Sequence, residues 1–211
     1  GVFSMDGDVA PIEALAEATR DDEDGFLMVD EAHATGVVGE NGTGVVGARG
    51  LTDDVDVQIG TLSKALGSQG GFVACDERTR SLLVNEARSF VYSTGLSPVD
   101  AAVSREAVSV VGGKEGERLR SRLEDNVSVV RERVEKAGYE VYGDTHILPV
   151  VVGDASRALE VADSLAEQGV FAPAIRPPTV PEGTSRIRVS MTAAHTHEDA
   201  ERVARAFEEA M

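Results

Sequence analysis

"VDVQIGTLSKALGSQGGFVAC", residues 55–75, decides the fold. A short apolar run ends at Gly60, a glycine-rich turn carries Lys64, and a second apolar run follows from Gly71, which together read as strand, turn and strand. "FLMVD" at 26–30 repeats the pattern, being short, apolar and ended by a carboxylate. Helical spacing fills the gaps: residues 11–19, with Pro11 in the first turn and Asp8 as the expected cap, then 77–88 and 98–111. Strands alternating with helices predict an α/β fold with a mostly parallel, covered sheet. Ligands of such sheets gather at the carboxyl ends of strands. Those ends are Asp30 and the turn 61–64.

Composition changes at "GGKEGE", 112–117, which reads as a hinge between a first domain, 1–113, and a second, 114–211. The second begins with a long charged helix to Lys136. Strands at 139–142 and 147–152, a helix over 155–168, a strand at 186–190 and a final helix complete an α+β pattern. "THED" at 196–199 has the outline of a capping box, with Thr196 as cap and an acid three residues on.

The formal net charge is -17, from 37 acidic and 20 basic residues, and only three of the basic residues are lysines. Phosphate-backbone recognition needs clustered Lys and Arg, so nucleic acid is an unsuitable partner. The arginine-rich, strongly acidic composition is that of a surface suited to high salt, an expectation of halophily. The single cysteine, Cys75, cannot form an internal disulfide and reads as a small core residue of a reduced, cytoplasmic protein. No apolar run reaches the length of a membrane span. The chain opens on Gly1 within patterned sequence, which leads us to expect the later portion of a longer protein.

Several motifs have competing readings. "VDEAH", 29–33, matches by letter the nucleotide-hydrolysis motif of DEAH-type ATPases, in which an Asp holds Mg²⁺ and a Glu polarises water. No phosphate-binding loop of the G-x-x-x-x-G-K-[ST] type accompanies it. "GTGVVG", 42–47, fits G-x-G-x-x-G, yet it does not directly follow a strand. His195 and His197 straddle the Thr196 cap without a third ligand, so no metal site is expected. Arg186 and Arg188 alternate along a strand and share a face. One such arginine commonly pairs with an acid, and the second suits a carboxylate ligand, since a guanidinium fork matches carboxylate geometry.

Lys64 in the first turn of a helix would be an exposed and unremarkable cation, but that end of a helix dipole disfavours positive charge. Gly60, Gly67, Gly70 and Gly71 leave room for a close approach to the backbone. Thr61 and Ser63 add hydroxyls of the kind that hold phosphate. A lysine beside a phosphate site suits Schiff-base chemistry with a phosphorylated aldehyde, the combination found in pyridoxal 5'-phosphate (PLP). Asp30 would then pair with the protonated ring nitrogen, and His33, three residues on, would contact the ring or move protons.

"VFSMDGDVAP", "FLMVDEAHATGVVGENGTG", "GTLSKALGSQGGFVA", "ARSFVYSTGLSP" and "AIRPPTVPEGTSRIRVSMTAAHT" together resemble the α-oxoamine synthases, PLP enzymes of the class I/II aminotransferase-like fold. The resemblance runs from Val2 to the last helix. It implies fold type I, with the second half of the large sheet domain followed by the smaller C-terminal α+β domain. It makes Lys64 the Schiff-base lysine, Asp30 the partner of the pyridinium nitrogen and His33 an acid–base residue near the ring's 3-hydroxyl. Ser4, Thr61 and Ser63 fall on the cofactor side. Ser93 and Thr94 would reach the phosphate of a neighbouring subunit, implying a homodimer with the site at the interface. Arg188 would bind the substrate carboxylate, leaving Arg186 to a structural ion pair.

The implied chemistry joins an amino acid to an acyl-CoA with loss of CO2 and CoA. "IRPPTVP" and "RIRVSMTAAHT" are most like members that use L-alanine and pimeloyl-CoA, with glycine and acetyl-CoA as the alternative pair. Family members also carry, before the segment matching "VFSMDGD", a ring-stacking histidine and a glycine-containing phosphate loop that these 211 residues do not contain. By itself the chain is therefore expected to hold PLP weakly and not to turn over. A non-catalytic remnant is the remaining alternative.

Overall fold

The computed structural model describes residues 1–210, which form two compact units. The first comprises Gly1–Val2 and Ala10–Glu117; the second comprises Phe3–Val9 and the chain from Arg118 onward. The sequence-based division at 113/114 left residues 3–9 in the first domain, but they pack with the second. The reason is a tight turn closed by Gly7 N donating to Phe3 O at 2.9 Å, with Thr145 Oγ1 donating to Gly7 O at 2.9 Å. Gly7 has φ +63°, and a Cβ there would lie 2.2 Å from the Ile147 carbonyl oxygen. Only glycine fits such a contact.

In the first unit, α1 (Ile12–Arg20) buries Ile12 and Ala16. The expected Asp8 cap is not made: Pro11 occupies the cap position without a side-chain hydrogen bond, and the Asp8 carbonyl accepts from Phe3 N. β1 (Met28–Asp30) runs parallel to β2 (Val57–Thr61), with Asp30 opposite Ile59, and α2 (Gly44–Ala48) lies in the connection. β3 (Gly71–Cys75) returns antiparallel to β2. Residues 62–70 are too few for the crossover that another parallel strand requires.

α3 (Glu77–Glu86) starts at Asp76, whose carboxylate accepts from Thr79 N at 2.7 Å, and α4 (Arg88–Val91) follows. α5 (Pro98–Val111) has Ser97 as cap and proline in its first turn. The expected covering of the sheet does not extend to β3, where Gly71 to Ala74 are exposed. Neither α3 nor α4 buries a residue, and α5 buries only Ser104, so Val99, Val103 and Val108 stand outside. The core of this unit sits instead among Ile12, Val29, Val45, Val46 and Leu66.

α6 (Lys114–Lys136) begins in the first unit and carries the chain into the second. There β4 (Glu140–Val141), β5 (Ile147–Gly153), β6 (Ala174–Ile175) and β7 (Ser185–Ser190) make an antiparallel sheet in the order β4-β5-β7-β6. α7 (Ala155–Glu167) packs on β5 and β7 and against α8 (His197–Glu209). Ile147, Leu148, Leu165, Ile187 and Phe207 are fully buried, each contributing about 1.5–3 kcal/mol relative to exposure. The capping box is present: Asp199 N donates to Thr196 Oγ1 at 3.1 Å, and Thr196 N to Asp199 Oδ2 at 2.9 Å. β6, only two residues long, has too little pattern to be read from sequence.

Candidate functional site

The chemistry-bearing residues fall into two groups, one in each unit. In the first unit, β1 and β2 are parallel neighbours, so their carboxyl ends open on the same edge. Asp30 is the last residue of β1, and Thr61 the last of β2. Asp30 is exposed, and its Oδ1 accepts from Ala32 N at 2.8 Å. His33, half-buried, lies in the turn that follows.

Beyond Thr61 the chain does not enter a helix. It bends through Leu62 to Lys64 and turns at Ala65 and Leu66, where Gly67 N donates to the Lys64 carbonyl at 3.0 Å. Lys64 is therefore not a first-turn helix residue, and its side chain is exposed. The hydroxyls of Thr61 and Ser63 are 2.8 Å apart, and Ser63 N donates to Thr61 Oγ1 at 3.2 Å. This gathers an amine, two hydroxyls, a carboxylate and an imidazole on two adjacent strand ends.

Two of the glycines around Lys64 have a different task from the expected one. A Cβ on Gly60 would come within 2.1 Å of the Phe72 ring, which lies across the sheet from the opposite strand position. Gly70, at φ +104°, faces the Leu96 side chain, and Gly67, at φ +60°, supplies the turn and borders open space. Two of the four thus make room for the protein's own side chains. Ser93 and Thr94 are exposed in the segment after α4, with Ser93 Oγ donating to the Ser89 carbonyl.

The second unit holds Ser4, Arg186 and Arg188. Arg186 is buried, donates Nη1 to the Asp6 carboxylate and Nε to the Thr184 carbonyl at 3.0 Å. Arg188 is half-buried and donates Nε to the Ser4 carbonyl at 2.6 Å. Burial holds its pKa below the usual guanidinium value, although the group stays charged. One arginine of the pair is thus satisfied by an acid, and the other by a backbone oxygen. Asp6 was not singled out by sequence reasoning; its signal was the lone acid of "SMDG" with a buried arginine to find.

Glu31 was noticed only as a letter of "VDEAH". Its side chain is buried, and its two oxygens accept from Val45 N at 3.0 Å and Val46 N at 2.8 Å, the second and third residues of α2. This overturns the ATPase reading, in which that glutamate would polarise a water. It also accounts for "GTGVVG", whose amides receive Glu31 rather than a dinucleotide. His195 is structural as well: its Nδ1 accepts from Thr192 N at 3.2 Å, and its carbonyl from Asn126 Nδ2 at 2.9 Å.

The sequence profile of the aminotransferase class I and II family matches residues 1–207. The chain is 46% identical over 93% of its length to the 8-amino-7-oxononanoate synthase of Trichlorobacter lovleyi, of which it covers 50%. A serine palmitoyltransferase solved with a PLP internal aldimine superposes at a TM-score of 0.93 with 29% identity, covering all of this chain and 53% of that one. The 8-amino-7-oxononanoate synthase of Francisella tularensis superposes at 0.85 with 25% identity, covering 99% of this chain and 60% of that one. The chain spans about half the length of the curated relatives it matches. With the profile matched from Gly1 into the last helix, and an α/β unit followed by an α+β unit, this chain belongs to the aminotransferase class I and II family.

Proposed function

We propose that the gene product is a PLP-dependent α-oxoamine synthase that condenses L-alanine with pimeloyl-CoA to give 8-amino-7-oxononanoate, CoA and CO2. The observation that carries this reading is the 46% identity to 8-amino-7-oxononanoate synthase over nearly the whole chain, joined to the strand-end set of Lys64, Asp30, Thr61 and Ser63. The donor set fits the cofactor: an exposed primary amine for its aldehyde, neighbouring hydroxyls for its phosphate and a carboxylate for its ring nitrogen. PLP, when bound, supplies the electron sink for a carbanion at the amino acid's Cα.

The chain's own residues do the rest. Lys64 would hold the cofactor through Nζ, and its amine would move the proton at the amino acid's Cα. Asp30 keeps the ring nitrogen protonated, because a carboxylate there favours the cationic form. His33 assists proton transfer at the ring's 3-hydroxyl side. Thr61 and Ser63 orient the phosphate, joined by Ser93 and Thr94 toward a neighbouring subunit of a homodimer. Arg188 binds the amino-acid carboxylate, with Ser4 beside the cofactor and its carbonyl fixing the guanidinium. Glycine and acetyl-CoA form the alternative substrate pair.

The test is to add PLP to the full gene product, follow the visible absorption band, reduce with borohydride and map the modified peptide. Label on Lys64 is expected, and its absence there overturns the cofactor assignment. Turnover of pimeloyl-CoA with alanine should exceed that of acetyl-CoA with glycine; the reverse order overturns the substrate choice. The exposure of Asp30 and Lys64 favours a second reading for this chain by itself, weak PLP binding without turnover. That reading is checked by the same labelling on the 211 residues alone.

A further inference from the structure

We infer that Glu31 is a positioning residue: an internal carboxylate that ties two amides in the first turn of α2 to the end of β1 and so fixes where Asp30 and His33 stand. Its bearing on PLP rests on the functional reading above, whereas its role in holding the turn does not.

The geometry is that of a loop closed at its base. The Glu31 backbone is fixed to the sheet, its N donating to the Ile59 carbonyl at 2.7 Å. Its carbonyl takes the amides of Ala34 and Thr35, at 2.9 and 2.8 Å, and the Thr35 hydroxyl at 2.9 Å. Its carboxylate takes Val45 N and Val46 N, fourteen and fifteen residues on. Asp30 and Ala32, the residues on either side, are joined by the Ala32 N to Asp30 Oδ1 bond at 2.8 Å. A backbone rotation at Glu31 would therefore move the Asp30 carboxylate and the start of the His33 turn together.

Space around the carboxylate points the same way. A Cβ on Gly44 would lie 2.7 Å from Glu31 Oε2, and one on Gly1 2.6 Å from the same oxygen. Gly44 also has φ +85°, a conformation that favours glycine. The backbone has thus been shaped around this side chain. A glutamine of the same size could accept from one amide, but its NH2 would face the other, leaving two buried donors opposed.

The first measurement is native-state hydrogen exchange on the unaltered chain. Val45, Val46 and Ala32 amides should open with one common denaturant dependence; independent opening of Ala32 overturns the inference. In Glu31→Gln, exchange at Val45, Val46 and Ala32 should each rise about tenfold or more. Acceleration confined to Val45 and Val46 would show a helix contact alone and overturn it. Asp76→Ala, which removes the cap of α3, a helix of the same unit that buries no residue, controls for general loss of stability. In the full gene product, Glu31→Gln should weaken PLP about tenfold and move the pH midpoint of the Lys64-bound absorption band, while Asp76→Ala should leave that midpoint in place. If the unaltered protein forms no such band, the cofactor reading falls and the exchange data alone decide the role of Glu31.

Discussion

Tyr139 shows how a single polar atom can count against its own side chain. Its ring packs edge-on against Phe207 at 5.5 Å and 75°, a favourable arrangement. Its hydroxyl is buried without a hydrogen-bond partner, and burial raises its pKa above the usual phenol value. Tyr139→Phe keeps the ring contact and removes the unpaired oxygen, so it should stabilise the protein by about 1 kcal/mol. A higher thermal midpoint checks this; a lower one would reveal a partner for the hydroxyl. Asp6→Asn should do the opposite. It leaves the Arg186 guanidinium, whose side chain is only 5% exposed, without its charge partner. Because half of the Asp6 side chain faces solvent, the loss is expected at about 1–3 kcal/mol, measurable by denaturant titration.

At the scale of the element, the start of α8 makes stability depend on pH. The hydrogen bond from the Thr196 backbone, with that from its hydroxyl, holds the Asp199 carboxyl below its ordinary value. A group depressed in the folded state contributes stability that is complete above its unfolded pKa and lost as pH falls through the folded one. The thermal midpoint should therefore drop on acidification below about pH 4, and Asp199→Asn should flatten that part of the profile. Thr196→Ala should cost about 1 kcal/mol at neutral pH. This cap was legible because it is local: Thr196 and Asp199 carry the whole signal within four residues. The strands at 28–30, 57–61 and 71–75 were legible for the same reason, each being a short apolar run with marked ends. The antiparallel return of β3 was missed because a strand's own pattern does not show its partner. The exposure of Asp30 was not legible, because burial is a property of neighbours that the sequence leaves unspecified. Lys64 was found through its company of hydroxyls and glycines, yet the room beside Gly60 turned out to belong to Phe72, a residue fixed only by cross-strand register.

For the whole molecule, a charge of -17 on 211 residues sets the response to salt. Self-repulsion of that size weakens the compact state at low ionic strength and is screened as salt rises. We expect the thermal midpoint to climb between about 0.1 and 1 M KCl, as the Debye length falls from about 10 Å to 3 Å. A flat or falling midpoint would remove the proposal of adaptation to high salt. The segment 3–9 has a consequence of another kind. Asp6 meets Arg186 across 180 residues of sequence, and Ser4 meets Arg188 across 184. During synthesis the segment leaves the ribosome well before β7 has been made, and by the time its partner strand emerges the intervening residues have had time to fold. The second unit must then be finished by an early-made turn kept waiting, so the first of its segments to be translated is the last whose contacts can close.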